Sequence, residues 1–142
     1  MFSLPTNPAR AYAAVGLGTD AMSASPHALV SMLFEGASLA VASALRYQQT
    51  GKPVQKSQSI SKAVAILTDG LMASLDREAG GELADKLYAM YEYMAMRLSE
   101  ANLGTGNDPL EEVGHLLSEL HGAWKFIGHA DRTKAAREPG GT

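Results

Sequence analysis

Residues 108–127 read DPLEEVGHLLSELHGAWKFI. The apolar positions Leu110, Val113, Leu117, Leu120, Trp124 and Ile127 are separated by 3, 4, 3, 4 and 3 residues. That spacing keeps one side of an α-helix apolar and leaves the rest to solvent. Asp108-Pro109 precedes the stripe as an N-cap followed by proline in the first turn, where a missing N–H costs nothing. Glu111 and Glu112 then sit where the helix dipole favours acids. A helix over 109–128 follows, with one face that has to be covered.

The rest of the chain repeats the pattern. Ser25-Pro26 opens a run that ends at Gly51 and carries Val30, Leu33, Phe34, Ala37, Val41 and Ala44. A second run carries Ile60, Val64, Leu67, Leu71 and Leu75, and Gly80-Gly81 interrupts the chain after it. A third carries Leu83, Leu87, Met90, Tyr91, Met94 and Leu98 before Gly104 and Gly106. Glycines at these places stop helices, and no alternating run rich in Val, Ile and Thr suggests a strand. The expected helices are 26–50, 55–77, 82–103 and 109–128. Short connections make sequential neighbours antiparallel, so the fold is all-α, an antiparallel up-down four-helix bundle. Residues 1–24 form an N-terminal segment and linker, with a short helix at 8–15 carrying Tyr12; 25–130 form the bundle; 131–142 read as a disordered tail.

The chain has 142 residues, 46% apolar and 19% charged, enough for one domain with a substantial core. It contains no cysteine, which removes disulfides and thiolate chemistry and suits a reducing cytoplasm. Twelve basic against fifteen acidic residues leave a charge of −3, a poor match for a phosphate backbone, so no nucleic acid is expected. No stretch approaches the ~18 to 20 apolar residues of a membrane span, and MFSLPTNPAR lacks the pattern of a secretion signal. No membrane insertion is expected.

Chemistry is scarce. A carboxylate-bridged metal site in a bundle needs two Glu-x-x-His pairs pointing inward. There is one, Glu112-x-x-His115, and both residues fall opposite the Leu117 stripe, facing water. No phosphate loop, nucleophile elbow or zinc signature occurs, so neither catalysis nor a metal or cofactor is expected.

Binding is better supported. Once the stripes are assigned, Met32 and Leu39 remain on the outer side of the first helix, Ile66 and Met72 on the second, Tyr93 and Met96 on the third. Isolated exposed apolar residues are ordinary, but several on successive helices, three of them methionine, suit a surface that adapts to helical partners. Gly114, Ser118 and Gly122 form a small-residue strip on the last helix. Close approach of another backbone and simple drift explain it equally well.

Three stretches resemble the flagellar secretion chaperones of the FliS type. ASPHALVSMLFEGA, residues 24–37, is similar to the opening of that family's first long helix. SLDREAGGELADKLYAMYEYMAMRLSEANL, residues 74–103, resembles its S-L-D turn, double glycine, L-Y-x-Y-M helix and closing A-N. EVGHLLSELHGAW, residues 112–124, resembles its last helix with the terminal tryptophan. With Ala11-Tyr12 the match runs in order over residues 11–127. Phe34 departs from the tyrosine usual there, and the linker before Ser25 is longer and richer in glycine than in the family.

The resemblance implies a four-helix bundle that is a cytoplasmic chaperone, not an enzyme. Its client would be the disordered C-terminal segment of flagellin, kept from polymerising and passed to the cytoplasmic domain of the flagellar export gate. In the family the client wraps the bundle and forms short helices in apolar grooves, and the N-terminal segment lies over one groove when the client is absent. The candidate client-binding set joins Met32, Ile66 and Met72, left over once the stripes are assigned, and Leu67 and Leu71 of the second run to Ser74, Leu75, Tyr88, Tyr91, Ala101 and Asn102, which the resemblance implies, with Tyr12 on the lid. Of these, the apolar stripe places Tyr91 in the core, while Tyr88 borders a groove and Asn102 also suits a helix end. Three alternatives stay open: a general adaptor for amphipathic helices, a metal-binding bundle, and self-association as a weak homodimer rather than a monomer.

Overall fold

The structure, a computed structural model, describes the backbone of residues 25–137 and side chains as far as Ile127. Four helices account for it. Helix α1 is Pro26–Gln49, α2 is Pro53–Ala65, α3 is Arg77–Leu103 and α4 is Asp108–Arg137; a π-helical segment, Ile66–Met72, continues α2. Tyr12 and the expected 8–15 helix lie outside the described residues.

The starts follow their capping residues. Ser25 accepts a bond from the Ala28 N–H at 3.1 Å, and Asp76 accepts one from the Ala79 N–H at 3.0 Å. Gly81 takes a positive φ of 55° inside α3, so the straight part of that helix begins just after it, where the double glycine predicted.

Cross-helix bonds show the alternating directions. His27 near the start of α1 meets Trp124 late in α4, whereas Gln48 at the end of α1 donates to Gly106 and Asn107 at the start of α4. Arg97 late in α3 pairs with Glu112 early in α4, and Lys56 early in α2 reaches the Gly104 carbonyl after α3. The bundle is therefore up-down, with α1 packed against both α2 and α4. By length and composition α1 would suffice to cross a membrane, although its run is interrupted by serine, glycine and Glu35 and had not stood out in the sequence. Its apolar side, Leu29 to Ala44, is buried in the bundle core.

Two helices end elsewhere than expected. The second stops at Met72, not 77, because its ladder widens after Ala65. A side chain on Gly70 would place its Cβ 2.9 Å from Leu33 Cδ2, so any larger residue there would push the buried Leu33 side chain aside. The Ser74 hydroxyl and N–H both bond the Gly70 carbonyl, at 2.7 and 3.0 Å, and close the segment. The last helix runs to Arg137, past 128, so residues 131–137 have helical backbone where a tail was expected. Gly128 is a weak stop, and the alanines and long basic residues after it are good helix formers.

The core joins Leu33, Phe34, Ala37 and Val41 of α1 to Ile60, Ala63, Ile66, Leu67 and Leu71, then to Tyr91, Met94 and Leu98 of α3 and Leu110, Val113 and Leu117 of α4. Ile66, expected on the outer side, is fully buried. It follows the fully buried Ala63 by three residues, on a flank of the helix that the stripe through Val64 leaves out. Gly114 meets Val41 at an ordinary 3.7 Å and nothing lies near Gly122, so the small-residue strip admits no second backbone within the described residues.

Candidate functional site

The apolar stripes run out before the helices do. Leu83 and Ile127 occupy stripe positions on α3 and α4, yet 48% and 47% of their surface is exposed. With Phe34, Leu87, Tyr91, Leu120 and Trp124 they line an apolar cleft of about 540 Å³ beside the first turn of α1. His27 and Trp124 close one side, their rings stacked at 4.5 Å. Next to them Ser31 bonds His121 at 2.8 Å, and His121 stacks on Phe34 at 5.6 Å. Burial between α1 and α4 lowers the pKa of His121, and Lys125 lowers it further. Burial pushes the Tyr91 phenol well above its ordinary value.

A second recess lies between α2 and α3. Ile60, Ser61, Val64 and Thr68 from one side and Ser99, Asn102 and Leu103 from the other enclose about 510 Å³. The Thr68 hydroxyl donates to the Val64 carbonyl at 2.9 Å, and Ser99 donates to Ala95 at 3.2 Å. Both hydroxyls are spent on their own helices, so these positions are less polar toward a partner than their names suggest. Leu103 stands 90% exposed at the rim. Through Ser61 the groove continues into a shallow cleft along Val54, Ser57 and Gln58, and through Asn102 into a third at the end of the bundle. Together they form a band along the outer side of α2.

Most of the candidate client-binding residues are interior. Ile66, Leu67, Leu71, Ser74, Leu75, Tyr91 and Ala101 are buried, Tyr91 forming part of the apolar cleft wall from within. Met32, Met72 and Tyr88 are half-buried, and Arg77 stacks over the Tyr88 ring at 4.3 Å. Asn102 is exposed and joins two of the recesses. Sequence reading missed Leu103 as a groove residue and assigned Leu83, Val64 and Ile127 to the core. The visible signal was the run of small uncharged residues at helical spacing, Ser57, Ser61, Ala65 and Thr68, on a helix otherwise lacking a reason for them.

Glu112 is engaged elsewhere. Its carboxylate accepts from Arg97 Nε at 2.7 Å and from the Tyr93 hydroxyl at 2.8 Å, which ties α3 to α4. Arg97 first, then Tyr93, hold its pKa below the usual range. His115 pairs with Glu119 in solvent. Among the described residues no three His, Asp or Glu side chains gather as metal ligands.

The family profile described as "Flagellar protein FliS" matches residues 8–131. The chain belongs to the FliS family. Among its FliS relatives, the flagellar secretion chaperone FliS of Salmonella typhimurium is 46% identical over 83% of this chain and 87% of its own length. The protein of the same name from Escherichia coli is 41% identical over 82% and 85%. The flagellar secretion chaperone FliSB of Pseudomonas aeruginosa is 37% identical over 83% and 93%. The described part of this FliS-family chain is thus a helical bundle with an apolar cleft and a second recess of mixed polarity, similar over most of its length to secretion chaperones.

Proposed function

We propose that this chain is a cytoplasmic export chaperone. It binds the disordered C-terminal segment of flagellin, prevents premature polymerisation and assists delivery to the cytoplasmic domain of the flagellar type III export gate. Membership of the FliS family and relatives named as flagellar secretion chaperones support the reading. The observation that carries it is the open apolar cleft beside His27 and Trp124, where Leu83 and Ile127 continue the core stripes with about half of their surface exposed. Apolar residues at helical spacing, left open, suit the apolar side of a client helix laid into a groove. The groove between α2 and α3 offers a place for a second short helix of a client that wraps the bundle. The Asn102 and Tyr91 positions of the expected client-binding set border these two recesses; Met32, Met72 and Tyr88 remain candidates on the surface, and Tyr12 remains the proposed lid residue.

Ordering a disordered client takes about 2–5 kcal/mol from the gross interaction energy, which leaves binding reversible enough for release. No step of this function calls for an enzyme or a cofactor. Calorimetric titration with a peptide covering the last ~50 residues of flagellin from the same organism tests the proposal, with a length-matched N-terminal flagellin peptide as control. Saturable binding of the C-terminal peptide alone, with a negative heat-capacity change, is expected from apolar burial. A folded sample that binds neither peptide overturns it.

A further inference from the structure

Lys56 stands in the first turn of α2 with 7% of its surface exposed. Its ammonium donates one bond to the Gly104 carbonyl at 2.9 Å, and among the described residues no carboxylate lies within ion-pair distance. An ammonium has three N–H donors, and a carbonyl carries only a partial negative charge. Burying a full charge is costly without an opposite one. The surroundings add to the imbalance. Lys52 lies beside it, and neither an acid in the first turn nor a side-chain cap offsets the positive end of α2.

Lys56 does not face a packed interior. It lines a cleft of about 290 Å³ at the end of the bundle, together with Lys52, Tyr47 and Thr105. Asn102 belongs both to this cleft and to the groove between α2 and α3. That groove has Ile60, Val64 and Leu103 among serines, Thr68 and the Asp69 carboxylate, and it leads into a cationic corner where the α1–α2 turn meets the α3–α4 loop.

We propose that this corner is a carboxylate subsite and that its occupant is the chain-terminal carboxylate of the peptide bound in the groove. The inference rests on the client reading above and adds an orientation to it. The client's last helix lies between α2 and α3, with its chain end against Lys56 and Lys52. A free C-terminus is then part of what is recognised, which an internal segment of the same apolar pattern lacks.

The test compares two peptides of one sequence, the C-terminal flagellin segment with a free carboxylate and the same segment amidated, titrated into the full chain and into a Lys56→Met variant. On the unaltered chain the free acid is expected to bind roughly tenfold tighter, as for a hydrogen bond to a charged group. The difference should shrink with added salt and fall sharply in Lys56→Met, where Lys52 alone remains. Equal affinities on the unaltered chain overturn the subsite and leave the chaperone reading intact. A difference undiminished in Lys56→Met overturns the assignment to Lys56. Binding of neither peptide overturns the client reading and this inference with it. Should Lys56→Met fail to fold, the pair of peptides on the unaltered chain still decides.

Discussion

His27 and Trp124 hold each other by both ends. Their rings lie nearly parallel, at 8° and 4.5 Å. His27 Nε2 bonds the Trp124 carbonyl at 2.8 Å, and Trp124 Nε1 donates to the His27 carbonyl at 3.0 Å. Ninety-seven residues apart in sequence, the two fix the start of α1 against α4 and form one wall of the apolar cleft. Trp124→Phe keeps an aromatic ring but loses the indole N–H and leaves a carbonyl short of a partner. Such a loss costs about 1–2 kcal/mol. Urea denaturation should show a lower midpoint with an unchanged slope, and Trp124→Ala should cost more through lost packing. A Trp124→Phe midpoint equal to that of the unaltered chain would mean that the reciprocal bonds add nothing.

The next seam residue, His121, makes stability depend on pH in one direction. Burial against Phe34 and Ser31 is the first cause of its lowered pKa, the Lys125 charge the second, while Glu35 opposes them. A histidine that resists protonation in the folded state contributes no penalty above its unfolded value. As pH falls below about 6.5 the unfolded chain takes up the proton first, and stability drops. Denaturation midpoints at pH 7.5 and 5.5 should differ for the unaltered chain and differ less for His121→Gln. Equal pH slopes in the two proteins would refute a role for His121.

Glu112 acts in a lower window. With its pKa held down by Arg97 and then Tyr93, its contribution is present above the ordinary carboxylate value and is lost as pH falls through the folded one. Glu112→Gln should therefore change stability at pH 7 and leave it alone near pH 2. Because the group is exposed, the change at neutral pH is small and shrinks with salt. A variant effect that is equal at both pH values would assign Glu112 a packing role instead.

How far the fold could be read in advance depended on which forces were local. Ser25, Gly81 and the Leu110–Trp124 stripe act within a turn or two, and they read directly as a cap, a break and a buried face; Asp76, which caps a helix starting at Arg77 rather than at the expected 82, was not read as one. The π-helical segment does not, because Gly70 fits it to Leu33 of another helix, and no window around Thr68 contains that contact. Ile66 was misplaced because the apolar stripe was drawn through Val64, whereas the buried face runs through the small Ala63. The recesses were harder still. Leu83 and Ile127 have the spacing of core residues, and a helical wheel cannot register that the helices around them leave those positions half open. Asn102 was found only by family resemblance, and Leu103 beside it had no periodic signal at all.

The close approach at Gly70 makes a further prediction. Gly70→Ala gains up to about 1 kcal/mol of helix propensity, but the new methyl meets Leu33 Cδ2 at 2.9 Å in a filled core. Overpacking of this kind costs about 1–3 kcal/mol, so the net change should be destabilising. Leu33→Val removes the opposing atoms, and the double variant should be less unstable than the sum of the two single changes. Additive effects in that cycle would show that the two positions do not press on one another.

Leu103 separates binding from folding more cleanly than any buried candidate. It stands 90% exposed at the rim of the groove between α2 and α3, so Leu103→Asp should shift stability by no more than about 0.5 kcal/mol. A charge there sets an unpaired carboxylate against the apolar side of a client helix. Loss of about one leucine contact plus the desolvation of that charge should weaken the C-terminal flagellin peptide at least roughly tenfold. Phe126→Asp is the matched control, since Phe126 is exposed but lines neither recess. Calorimetric titration of these two variants and of Leu83→Asp, in the other cleft, decides where the client lies. Weakening by Leu103→Asp alone places it in the α2–α3 groove, and weakening by Leu83→Asp without Leu103→Asp confines it to the cleft beside His27 and Trp124.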